Sequence, residues 1–126
     1  MGLKGLFTIT SIIAFLFAIL FIIIPTQFFS QYGIESSSVL NYIGALFGAS
    51  LIGIGLIAWQ ARNITNVDSL KVITFSFFIA DGIGFIIALL GQVNNLVNNL
   101  GWLTVAIYLI LSLAFAYYRF SKSVSK

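Results

Sequence analysis

The chain contains neither cysteine nor histidine, and these absences exclude several classes of function. Without cysteine there is no disulfide, no thiolate nucleophile and no sulfur ligand for a metal. Without histidine there is no imidazole base, and the commonest metal and haem ligand is also missing. The sequence therefore predicts no metal centre, no resident cofactor and no redox chemistry by the protein's own side chains.

Charged residues are scarce as well, at 7 % of 126 residues, whereas 60 % of the residues are hydrophobic. The mean hydropathy of +1.11 lies outside the usual range of soluble globular domains. Apolar stretches long enough to cross a hydrocarbon core of about 30 Å lie at about 5–24, 40–60, 70–91 and 101–119. Because they lack the alternation of barrel strands, they predict an antiparallel four-helix transmembrane bundle that forms one domain.

All basic residues fall on one side of the membrane when the chain crosses it four times. They flank the first stretch, the connection between the second and third, and the C-terminus: Lys4, Arg62, Lys71, Arg119, Lys122 and Lys126. By the positive-inside rule this side is cytoplasmic, which predicts a multi-pass protein of the cell (inner) membrane with both termini inside. The net charge of +3 is therefore a topology signal, and no nucleic-acid partner is expected.

The connection after the first stretch mixes aromatic and polar residues. It carries Phe28, Phe29 and Tyr32 among glutamines and serines. Both a short amphipathic element at the outer interface and an ordinary surface loop fit this pattern. The serines at 36–38 are expected to cap the second long helix, and Asp68 to cap the third.

Asp81 is the residue least suited to hydrocarbon, since it lies near the middle of the third stretch with no Lys or Arg at that depth. Insertion of a central aspartate costs about 2.5 to 3.5 kcal/mol, which the neighbouring apolar residues offset. Its expected polar neighbours at similar depth are Ser50, Tyr108 and Ser112. This group could hold a proton or cation on the path of a solute, or it could form an interhelical hydrogen bond.

Small residues recur at four-residue spacing in the second and third stretches. The candidate packing residues are Gly44, Gly48 and Gly53 in the second, and Ala80, Gly84 and Ala88 in the third. Such stripes let helix backbones approach closely, so the sequence predicts tight packing between these two helices. The contact could lie within one chain or between chains, as in a homo-oligomer or a larger membrane complex.

The glycines of the second stretch also carry a family resemblance. Gly44, Gly48, Gly53 and Gly55, followed by the run Trp59–Gln60–Ala61–Arg62, resemble the glycine-rich second span of small DoxX-like four-helix membrane proteins. The resemblance implies a bacterial or archaeal inner-membrane protein and a role as an accessory subunit. It implies no particular site residues.

Enzymatic activity is not expected, because the three acidic residues are predicted outside, inside and in the middle of the membrane. The leading hypothesis is a membrane protein with a site for small-solute or ion-coupled transport at Asp81. One alternative is an accessory or scaffold subunit whose polar residues only hold helices together. Another is a lipid- or quinone-binding protein with an apolar cleft lined by Phe77, Phe78 and Phe85.

Overall fold

The structure is a computed structural model that describes residues 2–121, and within them it contains five α-helices and no strand. The helices are α1 (Leu3–Ile23), α2 (Pro25–Gln31), α3 (Ser38–Ala61), α4 (Val67–Val93) and α5 (Gly101–Ala116), which a π-helical segment (Tyr117–Ser121) continues. Lys122 and Lys126, two of the cations assigned to the cytoplasmic side, lie outside the described residues.

Four of these helices are long and apolar enough to cross a membrane. They are α1, α3, α4 and the continuous helix from Gly101 to Ser121, with 21, 24, 27 and 21 residues. At a rise of about 1.5 Å per residue they measure roughly 31 to 40 Å. The prediction of an all-helical protein with four candidate transmembrane helices is therefore confirmed.

The break between α1 and α2 follows from the single proline of the chain. Pro25 has no N–H to continue a helix, and its ring disfavours helical geometry at Ile24, whose φ and ψ are −130° and 54°. Pro25 then serves as the first residue of α2. At the other end Gly33 adopts a φ of +74°, and its N–H donates to the Ser30 carbonyl. The connection after the first stretch thus contains a short helix rather than only a loop.

The predicted N-cap is confirmed for α3 but not for α4. Ser37 caps α3, because its side chain accepts a hydrogen bond from the Leu40 N–H at 3.1 Å. Asn66 caps α4 in the same way, with the Ser69 N–H at 2.8 Å. The prediction that Asp68 is this cap is wrong, since Asp68 lies within the first turn of α4. Its charge there favours the positive end of the helix dipole.

The long helices pack as two pairs, α1 with α3 and α4 with α5. The predicted packing of α3 on α4 is not observed within this chain, and packing of these stripes between chains stays a prediction. A Cβ atom at Gly48 would lie 2.8 Å from Cγ1 of Ile22 and 3.1 Å from the Ala18 carbonyl oxygen, both of α1. The ring of Tyr108 in α5 lies against Gly84 of α4. Each glycine stripe therefore accommodates large side chains of its own pair rather than the other stripe.

The remaining candidate packing residues differ in their surroundings. Gly44 is buried against the rings of Phe21 and Phe29, whereas no neighbouring atom in the described part of the chain lies within 4 Å of a Cβ placed at Gly53. Ala80 is exposed along α4, and Ala88 is half-buried on the same helix. Only part of the predicted stripe is thus used for helix packing.

At one end of the molecule, here called the basic end, the described cations Lys4, Arg62, Lys71 and Arg119 lie close to the helix termini. A cluster of aromatic rings joins the two helix pairs there. Phe77 and Phe115 stack with centroids 5.1 Å apart, and Phe7 of α1 contacts both rings at 6.2 and 5.8 Å. Such ring contacts add to the stabilisation from apolar burial.

The other end, here called the asparagine end, contains α2 and the loop of residues 94–100. Hydrogen bonds join the helix pairs at this end. The Asn98 N–H donates to the Tyr32 carbonyl at 2.9 Å, and the Asn98 side-chain amide donates to the Gln31 carbonyl at 2.9 Å. The Tyr32 and Thr104 hydroxyls are 3.0 Å apart. The two helix pairs are thus joined at both ends of the molecule.

Candidate functional site

A cavity of about 360 Å³ lies between the two helix pairs, between their joined ends. Its wall is mainly apolar, and α1, α2 and α3 supply five phenylalanines to it: Phe17, Phe21, Phe28, Phe29 and Phe47. Several of these rings contact one another edge to face, including Phe21 with Phe28 at 4.8 Å. The cavity is large enough for a small organic molecule, and its wall favours an apolar one.

A small set of polar side chains interrupts this apolar wall. They are Thr10 from α1, Tyr32 after α2, Asp81 from α4, and Thr104 and Tyr108 from α5. Asp81 lies 14 residues from Val67 and 12 from Val93, the two ends of α4. At the helical rise it is therefore roughly 20 Å from either end. Asp81, which carries the only carboxyl group that residues 2–121 contribute to the wall, thus lies at mid-height of the helix.

Two buried oxygen atoms in this wall lack a hydrogen-bond partner among residues 2–121. They are Oδ2 of Asp81 and Oγ1 of Thr10. Leaving a buried polar group unpaired costs about 1 to 3 kcal/mol, and more when the group is charged. Because native proteins rarely keep such groups, each one is a pointer to a function or a bound species. Both point to the same cavity.

The position of Tyr108 depends on a glycine in the neighbouring helix. The Tyr108 ring lies directly against Gly84, and a Cβ at that position would overlap ring atoms. Gly84 is close to one helical turn beyond Asp81, so the ring and the carboxyl group share one side of the cavity. Because Gly84 has no side chain, it leaves the space that the Tyr108 ring occupies at the site.

Of the four predicted site residues, the structure brings only Asp81 and Tyr108 into the cavity wall. Ser112 is buried, and its hydroxyl donates to the Phe78 carbonyl at 3.1 Å, which links α5 to α4. Ser50 is exposed, and its hydroxyl donates to the Leu46 carbonyl of its own helix at 3.3 Å. Neither serine therefore lines the cavity, although the Ser112 hydroxyl lies 3.3 Å from a Cβ placed at Gly82, the residue after Asp81.

The phenylalanines predicted to line a lipid- or quinone-binding cleft are not the ones that line the cavity. Phe77 belongs to the ring cluster of the basic end, and Phe78 contacts Phe75 and Phe120 at 6.1 and 5.6 Å. Neither these rings nor Phe85 line the cavity. The rings that do line it come from the first half of the chain.

Three polar residues of the wall were not predicted as site residues from the sequence: Thr10, Tyr32 and Thr104. Thr10 and Thr104 did carry a usable signal, since hydroxyl groups inside apolar stretches need partners. Tyr32 carried none, because its role depends on how α2 folds over the cavity. The contact between Tyr32 and Thr104 spans 72 positions of the sequence.

The chemistry available in the cavity is that of one carboxyl group and a few hydroxyls in apolar surroundings. Among residues 2–121 no group of three acidic, histidine or cysteine side chains is arranged to hold a metal ion. The carboxyl group can hold a proton, accept hydrogen bonds or pair with an organic cation. Comparison with protein-family models, curated proteins and solved structures finds no match for this chain.

Proposed function

We propose that the chain is a non-enzymatic integral membrane protein that binds a small, largely apolar solute with a cationic group, and that couples this binding to transport. The observation that supports the proposal is the unpartnered carboxyl oxygen of Asp81 in the wall of an apolar cavity. The rings would hold the apolar part of the solute, and Asp81 would hold its cationic group. Tyr108 and Thr10 supply further hydroxyls in the wall of the same cavity.

The carboxyl group also provides a way to exchange a proton for the solute. When a protonated amine binds, the neutral acid releases its proton to the solvent and becomes the carboxylate that pairs with the ammonium group. The site is then neutral in both states. Because hydrocarbon disfavours net charge, a neutral site can change its exposure at a lower cost than a charged one.

Transport would require the two joined ends to open in turn. Rings of Phe7, Phe77 and Phe115 close the basic end, and the hydrogen bonds of Asn98 and Tyr32 close the asparagine end. Ring contacts at the basic end and hydrogen bonds at the asparagine end are different interactions, so the contacts at one end can break while those at the other end remain. This arrangement supports a site that is exposed to one side at a time.

For the membrane arrangement, the proposal is an antiparallel bundle in the cell (inner) membrane with the basic end in the cytoplasm. The contacts within the first pair support alternating directions: the Ser11 hydroxyl donates to the Gly55 carbonyl, whereas Phe21 contacts Gly44. The cations at the basic end support the cytoplasmic assignment. Membership of the DoxX-like group is part of the same proposal, and it rests on the glycine pattern of α3.

The alternative is an accessory subunit in which polar residues only hold helices together. The hydrogen bonds of Ser11 to Gly55 and of Ser112 to Phe78 favour it, since each links two helices of one pair. This alternative gives no role to the unpartnered oxygen of Asp81. It therefore predicts no binding of an amine in the cavity.

Binding of an arylalkylamine tests the proposed function directly. Protein in lipid nanodiscs is titrated with 4-phenylbutylamine and with the neutral 4-phenylbutanol, and isothermal calorimetry measures both affinities after subtraction of empty nanodiscs. A hydrogen bond to a charged group contributes about 1.5 to 3 kcal/mol, so the amine is expected to bind at least roughly tenfold more tightly. Equal affinities would reject the use of the carboxyl group, and absence of binding would favour the accessory subunit.

Labelling of single cysteines tests the topology, and the absence of native cysteine makes the assay clean. Asn63→Cys lies between α3 and α4 at the basic end, and Asn95→Cys lies in the loop after α4. In intact cells a membrane-impermeant maleimide is expected to label only the second variant, because the positive-inside rule places the first in the cytoplasm. The reverse pattern, or equal labelling in both variants, would contradict the proposed arrangement.

A further inference from the structure

A second, smaller cavity of about 220 Å³ lies at the basic end, away from the cavity that contains Asp81. Its wall includes two cations from different helices, Lys4 of α1 and Arg62 at the end of α3. The apolar side chains of Leu3, Ile64 and Leu70 also line it, with Leu3 and Leu70 buried and Ile64 half-buried. The cavity therefore combines positive charge with an apolar surface at one end of the bundle.

The guanidinium group of Arg62 has a defined orientation, and no acidic side chain among residues 2–121 forms an ion pair with it. It lies 4.1 Å from the centroid of the Trp59 ring, which orients it by a cation–π contact. Its Nε atom is buried and has no hydrogen-bond partner among residues 2–121. The acidic residue of the same region, Asp68, does not line the cavity. A donor of fixed orientation is thus left without an acceptor.

The start of α1 adds further donors at this cavity. Gly2 precedes the helix and provides no side-chain cap, so N–H groups of the first turn have no side-chain acceptor. Leu3 and Lys4 belong to this turn and also line the cavity. Arginine, lysine and free helix N–H groups are the usual partners of phosphate in proteins.

We infer that this cavity binds the phosphate group of an anionic phospholipid. Arg62 and Lys4 contact the phosphate oxygens, and the half-buried side chain of Ile64 contacts the glycerol and the first acyl carbons. A lipid fits better than a soluble anion because the donors lie beside apolar side chains at the end of helices of membrane-spanning length. The inference does not depend on the function proposed for Asp81.

Native mass spectrometry of the detergent-solubilised protein tests this inference with three probes. Phosphatidylglycerol is expected to remain bound, whereas a diacylglycerol with the same acyl chains, which lacks the phosphate, is not. Glycerol 3-phosphate at millimolar concentration is expected not to displace the lipid. Equal retention of the diacylglycerol would overturn the role of the phosphate, and displacement by glycerol 3-phosphate would show a site for a soluble anion instead.

Charge-matched variants separate a defined site from general attraction to the basic end. The double variant Lys4→Gln/Arg62→Gln is expected to bind phosphatidylglycerol at least roughly tenfold more weakly, since each cation near a membrane surface adds to the attraction. The matched control is the double variant Lys71→Gln/Arg119→Gln, which also removes two cations of the same end, both outside the cavity. An equal loss in both variants would overturn the inference. Helix content by circular dichroism checks that each variant is folded, and Arg62→Lys, which keeps the charge, is expected to restore part of the binding.

Discussion

Replacing Asp81 with asparagine is expected to weaken binding of 4-phenylbutylamine by roughly 10- to 100-fold, since a charge-assisted hydrogen bond contributes about 1.5 to 3 kcal/mol. Asparagine has nearly the same size and can still accept a hydrogen bond, but it cannot carry a negative charge. Binding of 4-phenylbutanol should change little, because the rings of the cavity wall are unaltered. Calorimetry in nanodiscs measures both affinities.

The matched control for this variant is Asp68→Asn, which makes the same replacement in the same helix. Asp68 is exposed in the first turn of α4 and does not line the cavity, so its variant should bind the amine like the wild type. The wild type is also expected to release up to one proton per bound amine in weakly buffered solution, since any carboxyl group that is still protonated must ionise to form the pair. Unchanged affinity in Asp81→Asn would remove the main support for the proposed function.

Replacing Gly48 with leucine is expected to separate α1 from α3 and to lower the free energy of unfolding by about 3 kcal/mol, near the upper end for overpacked cores. The reason is the position of the backbone of α1. A Cβ at Gly48 would already lie 3.1 Å from the Ala18 carbonyl oxygen, which cannot move without the whole helix. Unfolding by sodium dodecyl sulfate, followed by circular dichroism, measures the change.

Gly53→Leu is the control, because it adds the same side chain to the same helix. Nothing lies within 4 Å of a Cβ at Gly53, and the residue is exposed. Its unfolding free energy should therefore not fall below that of the wild type by more than about 0.5 kcal/mol, since removing a glycine from a helix interior by itself favours the helix. If both variants lost stability equally, the loss would reflect leucine in α3 in general, and the pairing of α1 with α3 would be in doubt.

The difference in packing between Gly48, which lies against α1, and Gly53, which is exposed, could not be predicted from their spacing in the sequence. Gly44, Gly48 and Gly53 all belong to one apolar helix with repeated small residues, and the stripes of α3 and α4 looked complementary. A stripe of small residues specifies that something large or close fits against it, but it does not specify what. In the fold the short connections instead bring Ile22 and Tyr108 onto Gly48 and Gly84.

Asp81 shows how far the sequence can lead towards a site. Its depth and its lack of a nearby cation follow from counting residues along an apolar stretch. It stands out as a candidate site residue because ionisable groups are rare and costly in hydrocarbon. Its neighbours do not follow from counting. Tyr108 and Thr10 join it only because two helix pairs enclose a cavity, whereas Ser50, at similar predicted depth, is exposed elsewhere.

The sequence by itself determined the helical class, the four lengths sufficient for a membrane and the residue that violates an apolar stretch. These properties are local or additive: hydropathy sums along the chain, and a backbone without water must pair its own polar groups. Only the tertiary structure decided which helices pair, where the cavity lies and which hydroxyls share it with Asp81. Those properties depend on contacts between residues far apart in sequence, such as Tyr32 with Thr104, and on the shapes of side chains that fit together in space.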